Sequence, residues 1–136
     1  MFVFETQLRV RYAETDQMGY VYYGNYAAFY EVARTEMLRS TGISYKELED
    51  MGVMLPVTDL QCHYIHAAHY DELITIKTYI KEKPLVRIKF DYEIFNEQGI
   101  LINTGFTQLV FVDMEKKRPC RAPSLFQEKI NPYFNG

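Results

Sequence analysis

Asp16 stands nine residues ahead of a helical run that begins at Asn25, within the segment ETDQMGYVYYGNYAAFYEVARTEMLRS. The first N–H groups of a helix have no partner inside it, and they sit at the positive end of its dipole. Such donors suit a carbonyl oxygen that gains negative charge during a reaction. A carboxylate opposite them can attack the carbonyl carbon or take a proton from an attacking water. Taken by itself, an Asp in the turn Thr15-Asp16-Gln17-Met18-Gly19 also has a plainer use, bonding its own backbone.

The other reactive side chains point less clearly to chemistry. His63, His66 and His69 are spaced three apart, but on a strand such positions face opposite sides, and no Cys or carboxylate motif joins them. No metal site is expected. Cys62 has no base marked for it in the sequence and is expected to pack within a strand. Glu14 is expected to be a solvated loop charge, and Glu31 and Arg34 have the spacing of an intrahelical pair. Two groups of cations, Lys83, Arg87 and Lys89, then Lys116, Lys117, Arg118 and Arg121, flank turns and are solvated charge by default.

These residues need elements to hold them. FETQLRVRY, 4–12, alternates imperfectly and predicts a first strand, and DQMGYVYYG, 16–24, predicts a loop. Tyr26, Phe29, Tyr30, Ala33 and Met37 form one stripe of a helix, with Asn25 or Gly24 as its cap and Gly42 as its stop. Ser44 and Glu47 mark a capping box for a short helix over 44–51. Strands are predicted at 54–65, 72–81, 86–95 and 100–112, with a hairpin turn at Asn96–Gly99. EKKRPCRAP predicts a basic loop, and 124–129 a last helical turn. Strand, long helix and four further strands make an α+β arrangement, one helix across an antiparallel sheet. A sheet so short of cover leaves an edge that a second subunit can pair.

Composition sets the outer bounds. The 136 residues suit one domain, spanning 1–136. A net charge of −3 argues against nucleic-acid or anionic-membrane binding, which need a basic field. No run reaches the roughly 20 apolar residues of a membrane span, and the opening MFVFETQLRVRY lacks a leader's basic region. A reducing cytoplasm is expected. The 12 Tyr and 9 Phe are many for a core this size, so some rings are expected to line a cavity or a subunit contact.

The run RYAETDQMGYVYYGNYAAFYEVARTEML resembles the signature of the hotdog-fold acyl-CoA thioesterases, in the branch of the 4-hydroxybenzoyl-CoA thioesterase and the Tol–Pal-associated thioesterase. The shared pattern is Thr15-Asp16, Gly19, Tyr22-Tyr23 and Asn25-Tyr26. It continues through HAAHYDELITIKT, GFTQLVFVD and RPCRAP, so the likeness covers nearly the whole chain in order. The resemblance implies a hotdog fold, a sheet wrapped around a long central helix, and hydrolysis of an acyl-CoA to an acid and coenzyme A. It implies Asp16 as nucleophile or general base, with the backbone N–H groups of Tyr23 and Gly24 polarising the thioester carbonyl. Gly19, Tyr22, Lys89 and Arg118 are implied to contact substrate, the two cations at the coenzyme A phosphates. No cofactor is implied, coenzyme A being part of the substrate. A homodimer or homotetramer, with the active site across the dimer contact, is implied as well.

Two positions depart from the pattern. Gln17 and Gly24 stand where the 4-hydroxybenzoyl branch has Pro, so the likeness does not extend to that substrate. Tyr23 stands where the Tol–Pal branch has His, which leaves Asp16 without that side-chain base. Two other classes stay open: a hydratase or dehydratase of acyl thioesters using an Asp/His pair, and a non-catalytic acyl-CoA binding module.

Overall fold

The computed structural model describes residues 1–134. Five strands form one antiparallel sheet: β1 (Phe2–Arg9), β3 (Val57–Tyr64), β4 (Leu73–Ile80), β5 (Arg87–Phe95) and β6 (Leu101–Val110), in the order β1-β4-β5-β6-β3. Alternation decides the faces. Ile74, Ile76, Thr78 and Ile80 of β4 and Ile88, Phe90, Tyr92 and Ile94 of β5 are buried, while their neighbours lie half-buried or exposed on the other side. The long helix α1 (Tyr26–Ser40) covers the buried face with Tyr26, Phe29, Tyr30, Ala33 and Met37, the predicted stripe, extended by Arg34 and Leu38. Tyr30 stacks on Tyr92 at 4.1 Å between ring centroids, fastening the middle of the helix to the middle of the sheet.

Gly42 stops α1 with φ +92°, its N–H bonded to Arg39 O, a left-handed conformation that costs residues with a Cβ. Ser44 Oγ accepts the Glu47 N–H at 3.1 Å and caps α2 (Tyr45–Asp50), as its spacing predicts. The expected pairing of Glu31 with Arg34 does not form. Arg34 instead turns inward against the phenols of Tyr45 and Tyr92, only 7% exposed, while Glu31 stays in solvent. The stripe wraps far enough around the helix to take Arg34 with it.

Several predicted boundaries shift, each for a local reason. The first strand ends at Arg9, because Glu14 Oε1 accepts the Arg11 N–H at 2.7 Å and closes a 3-10 turn over Tyr12–Glu14. The strand expected over 54–65 is broken at Leu55-Pro56 into β2 (Val53–Met54) and β3. The one expected over 100–112 divides at Phe111 into β6 and β7 (Val112–Asp113). β7 then pairs with β2 and with β8 (Arg118–Pro119) in a second small sheet, of which β8 lies inside the stretch expected to be loop. The last helix, α3 (Ser124–Ile130), runs on into a 3-10 turn whose Tyr133 stacks on Phe2 at 3.8 Å.

β3 is an edge strand, bonded to β6 on one side. Val57, Leu60 and Tyr64 along it are 46%, 52% and 48% exposed, a large apolar share for an open edge. No helix among the described residues is long and apolar enough to cross a membrane.

Candidate active site

The loop between β1 and α1 is clipped down at both ends. Glu14 O accepts the Tyr22 N–H and the Asn25 Nδ2, each at 2.9 Å, so one carbonyl ties the start of the loop to the start of the helix. Val21 N–H reaches Ala68 O and Tyr70 N–H reaches Gly19 O, which holds the loop against the segment that follows β3. Glu14 is therefore no free solvated charge. Its side chain is only 15% exposed and bonded to Arg11.

Inside the loop Asp16 makes its turn. Asp16 N–H bonds Tyr20 O at 2.8 Å, and Oδ1 accepts the N–H groups of Met18 at 2.9 Å and Tyr20 at 3.3 Å. The plainer use of an Asp here is thus present, yet it occupies one carboxylate oxygen. Among the described residues Oδ2 has no hydrogen-bond partner. The two bonds fix the direction in which that second oxygen points. Gly19 takes φ +79° with nothing within 4 Å of where a Cβ would stand, so the turn needs glycine for its backbone conformation.

The helix begins earlier than its sequence suggests. Asn25 is in helical conformation and its side chain does not cap; it is spent on Glu14 O. A 3-10 turn over Tyr23–Asn25 leads straight into α1, closed by Asn25 N–H to Tyr22 O and Tyr26 N–H to Tyr23 O. The N–H groups of Tyr23 and Gly24 stand ahead of these bonds and have no backbone acceptor among the described residues. At Gly24 an added Cβ would come within 2.8 Å of the Tyr22 ring, which lies tilted against Tyr23 at 4.7 Å.

A cavity of about 290 Å³ opens here. Asp16 and His66 are its ionisable walls besides the phenols, the rings of Tyr20, Tyr23, Tyr26 and Tyr64 surround it, and Val21, Ile65 and Ala67 complete it. Tyr64 OH donates to Tyr23 O at 3.1 Å, joining β3 to the first helical turn. Desolvation, then the neighbouring Cys62, pushes the Tyr64 phenol up to about 12, so it stays a donor at neutral pH. Desolvation likewise raises Tyr26.

The three histidines part company. His63 lies on β3 in a separate cavity on the outer face of the sheet. The His69 ring meets the Tyr20 edge at 4.9 Å, and its Nδ1 is 3.6 Å from Glu72 Oε1. Only His66 shares the cavity with Asp16. Among the described residues no group of three or more His, Cys, Asp and Glu side chains is arranged to hold a metal. Cys62 packs, as expected of it: Tyr30 OH is 3.4 Å and Asn103 Nδ2 3.2 Å from its sulfur, with Tyr30 also bonded to Asn103.

Of the residues singled out from sequence, Asp16 and Tyr23 meet at this cavity, with Gly19, Tyr22 and Gly24 in the same loop and turn. Lys89 lies elsewhere, on the outer face, beside a cavity it shares with Lys81, Lys83 and Arg87. Its Nζ is 3.8 Å from Asp91 and 4.5 Å from the centre of the Phe106 ring. Arg118 is on β8, opposite Asp113. Within one chain neither cation lines the Asp16 cavity.

Residues 10–130 match the family model of the thioesterase-like superfamily. The chain is 34% identical over 133 residues to the YneP protein of Bacillus subtilis (strain 168), covering 98% of this chain and 96% of that one. It is 35% identical over 121 residues to the acyl-CoA thioester hydrolase YbgC of Escherichia coli O6:H1 (strain CFT073), covering 89% and 90%. A DHNA-CoA thioesterase from Staphylococcus aureus superposes with a TM-score of 0.89 at 35% identity, covering 100% of this chain and 97% of that one.

Proposed function

The chain belongs to the thioesterase-like superfamily, and from that premise we propose that it hydrolyses acyl-CoA thioesters to a free acid and coenzyme A at the Asp16 cavity. The observation that carries the proposal is a carboxylate with one oxygen pinned and the other free, in a cavity it shares with Tyr23 at the unbonded start of a helix. Names of relatives agree in reaction class: YbgC is an acyl-CoA thioester hydrolase, and the Staphylococcus aureus neighbour a DHNA-CoA thioesterase.

In this reading the thioester oxygen accepts the N–H groups of Tyr23 and Gly24. These N–H groups have no backbone acceptor among the described residues, and bonds of this kind strengthen as charge develops on the oxygen. Asp16 takes a proton from water as the new C–O bond forms, and the C–S bond then breaks with departure of the thiolate. Alternatively, Asp16 bonds directly to the carbon, the thiolate departs, and water cleaves the resulting anhydride to the acid and the free carboxylate. No cofactor takes part. Tyr22 packs beside Tyr23, and Gly19 shapes the turn that aims Asp16.

Release of free thiol from a panel of aromatic and aliphatic acyl-CoAs tests the reaction and finds the acyl group. Asp16→Asn keeps the turn-forming oxygen and removes the charge. It should lower kcat at least ~10²-fold with little change in KM, the scale of a positioned acid–base group. Near-wild-type turnover in a well-folded Asn variant would remove Asp16 from the chemistry. Label from ¹⁸O-water found in the Asp16 carboxylate after a single turnover would establish a covalent acyl-enzyme, since a general base gains none.

The Asp16–His66 cavity also favours a second reading, hydration of an unsaturated acyl thioester by an Asp/His pair. Loss of the enoyl absorbance without release of thiol would select it over hydrolysis.

A further inference from the structure

We propose that His66 is a further catalytic residue of this site, the group that hands a proton to the departing sulfur. The inference rests on the thioesterase reading above and goes beyond it, since that reading used Asp16 and backbone donors alone.

Three observations carry it. His66 and Asp16 are the two walls of the cavity, phenols apart, that can carry a proton, and they come from separate segments. The backbone at His66 is anchored: its N–H and that of Ile65 both bond Ile102 O, at 3.0 and 2.9 Å, so the residue is held at the end of the sheet. Its ring makes no side-chain hydrogen bond or ion pair among the described residues, whereas His69 is engaged with Glu72 and Tyr20. The groups facing it across the cavity are Asp16 and the phenols of Tyr20, Tyr23, Tyr26 and Tyr64, and it also borders an adjoining cavity that His69 lines.

A proton delivered there speeds the departure. Asp16 accepts one from water while the C–O bond forms, and the tetrahedral oxyanion held by the Tyr23 and Gly24 N–H groups collapses with rupture of the C–S bond. An alkyl thiol has a higher pKa than an aryl thiol, so its thiolate leaves more slowly and gains more from a proton delivered as it departs. Protonated His66 supplies that proton and becomes neutral imidazole. The proton on Asp16 then passes through solvent to His66, which restores both groups. Thioester and water become acid and thiol with no other reactant.

The experiment compares leaving groups. Two thioesters of the acyl group that the wild type releases fastest from coenzyme A are prepared, one on N-acetylcysteamine and one on 4-nitrothiophenol. The aryl thiolate leaves without help. His66→Gln, which keeps the bulk and polarity of the side chain, should lower kcat/KM for the alkyl thioester by ~10²-fold, the scale of general acid catalysis. The aryl thioester should be cleaved nearly as fast as by the wild type. His66→Asn should repeat the pattern, and His63→Gln, on the outer face of the sheet, should leave both rates unchanged. Equal losses on both leaving groups, or no loss on either, overturn the role of His66 while leaving the thioesterase reading intact. A wild type that cleaves neither thioester and no acyl-CoA overturns both.

Discussion

Close contact at single residues decides how much a substitution costs. Gly105 on β6 faces Cys62 across the β3–β6 pair, and a Cβ there would stand 2.3 Å from Gln61 O and 2.4 Å from Tyr30 OH. One of these is backbone and the other a fully buried phenol already bonded to Asn103, so neither can give way. Burial pushes the Tyr30 phenol well above its ordinary range, so it stays protonated and can donate to Asn103 Oδ1 at any working pH. Gly105→Ala is therefore expected to destabilise by ~1–3 kcal/mol, the cost of overpacking, seen as a lower urea midpoint. A midpoint equal to wild type would mean that Tyr30 and its partners are free to shift.

At the scale of elements, the loop 15–22 is the one whose conformation aims Asp16. Its Gly19 occupies the left-handed region at φ +79°, in open space. Ala there costs on the order of 1–2 kcal/mol, and Asn, which visits that region more readily, should cost less. If Gly19 serves only the turn, Gly19→Asn should keep KM for acyl-CoA and most of the stability. A raised KM in the Asn variant, with stability retained, would instead show that substrate passes close to this backbone. The same loop explains why Asn25 is not a cap: its amide is used to tie the loop to the helix, and the 3-10 turn at Tyr23–Asn25 moves the open donors forward to Tyr23 and Gly24.

At the scale of the whole molecule, the free β3 edge and the exposed rings around the cavity suit a second copy of the chain. Leu60 and Tyr64 lie on one face of that edge, about half exposed, and Tyr64 belongs to the cavity wall as well. A homodimer through β3 would cover both. Leu60→Lys should shift sedimentation at micromolar concentration from dimer to monomer and reduce activity with it; a wild type that is monomeric and fully active removes the proposal. A second subunit also bears on the phosphates of coenzyme A, because Lys89 and Arg118 do not reach the Asp16 cavity of their own chain. If either cation holds a phosphate, Lys89→Ala or Arg118→Ala should raise KM more than it lowers kcat, since that binding is shared by ground and transition states. The rise should shrink at high salt, where exposed charges are screened. Unchanged KM in both variants would place the phosphates elsewhere.

The sequence by itself determined what depends on near neighbours. Tyr26, Phe29, Tyr30, Ala33 and Met37 could only make one buried stripe, and β4 and β5 alternate because successive side chains must face opposite ways. Ser44 capped its helix and Gly42 stopped the one before it for equally local reasons. Asp16 ahead of a helix start was legible too, along with its turn. The tertiary structure decided what depends on approach between distant segments. His66 comes to line the same cavity as Asp16 because the segment after β3 is bonded to the loop through Val21 and Tyr70 and to β6 through Ile102, and spacing along the chain carries no trace of those bonds. Arg34 left Glu31 for Tyr45 and Tyr92 because burial of the neighbouring stripe drew it inward, an effect that a rule for exposed helix pairs does not contain.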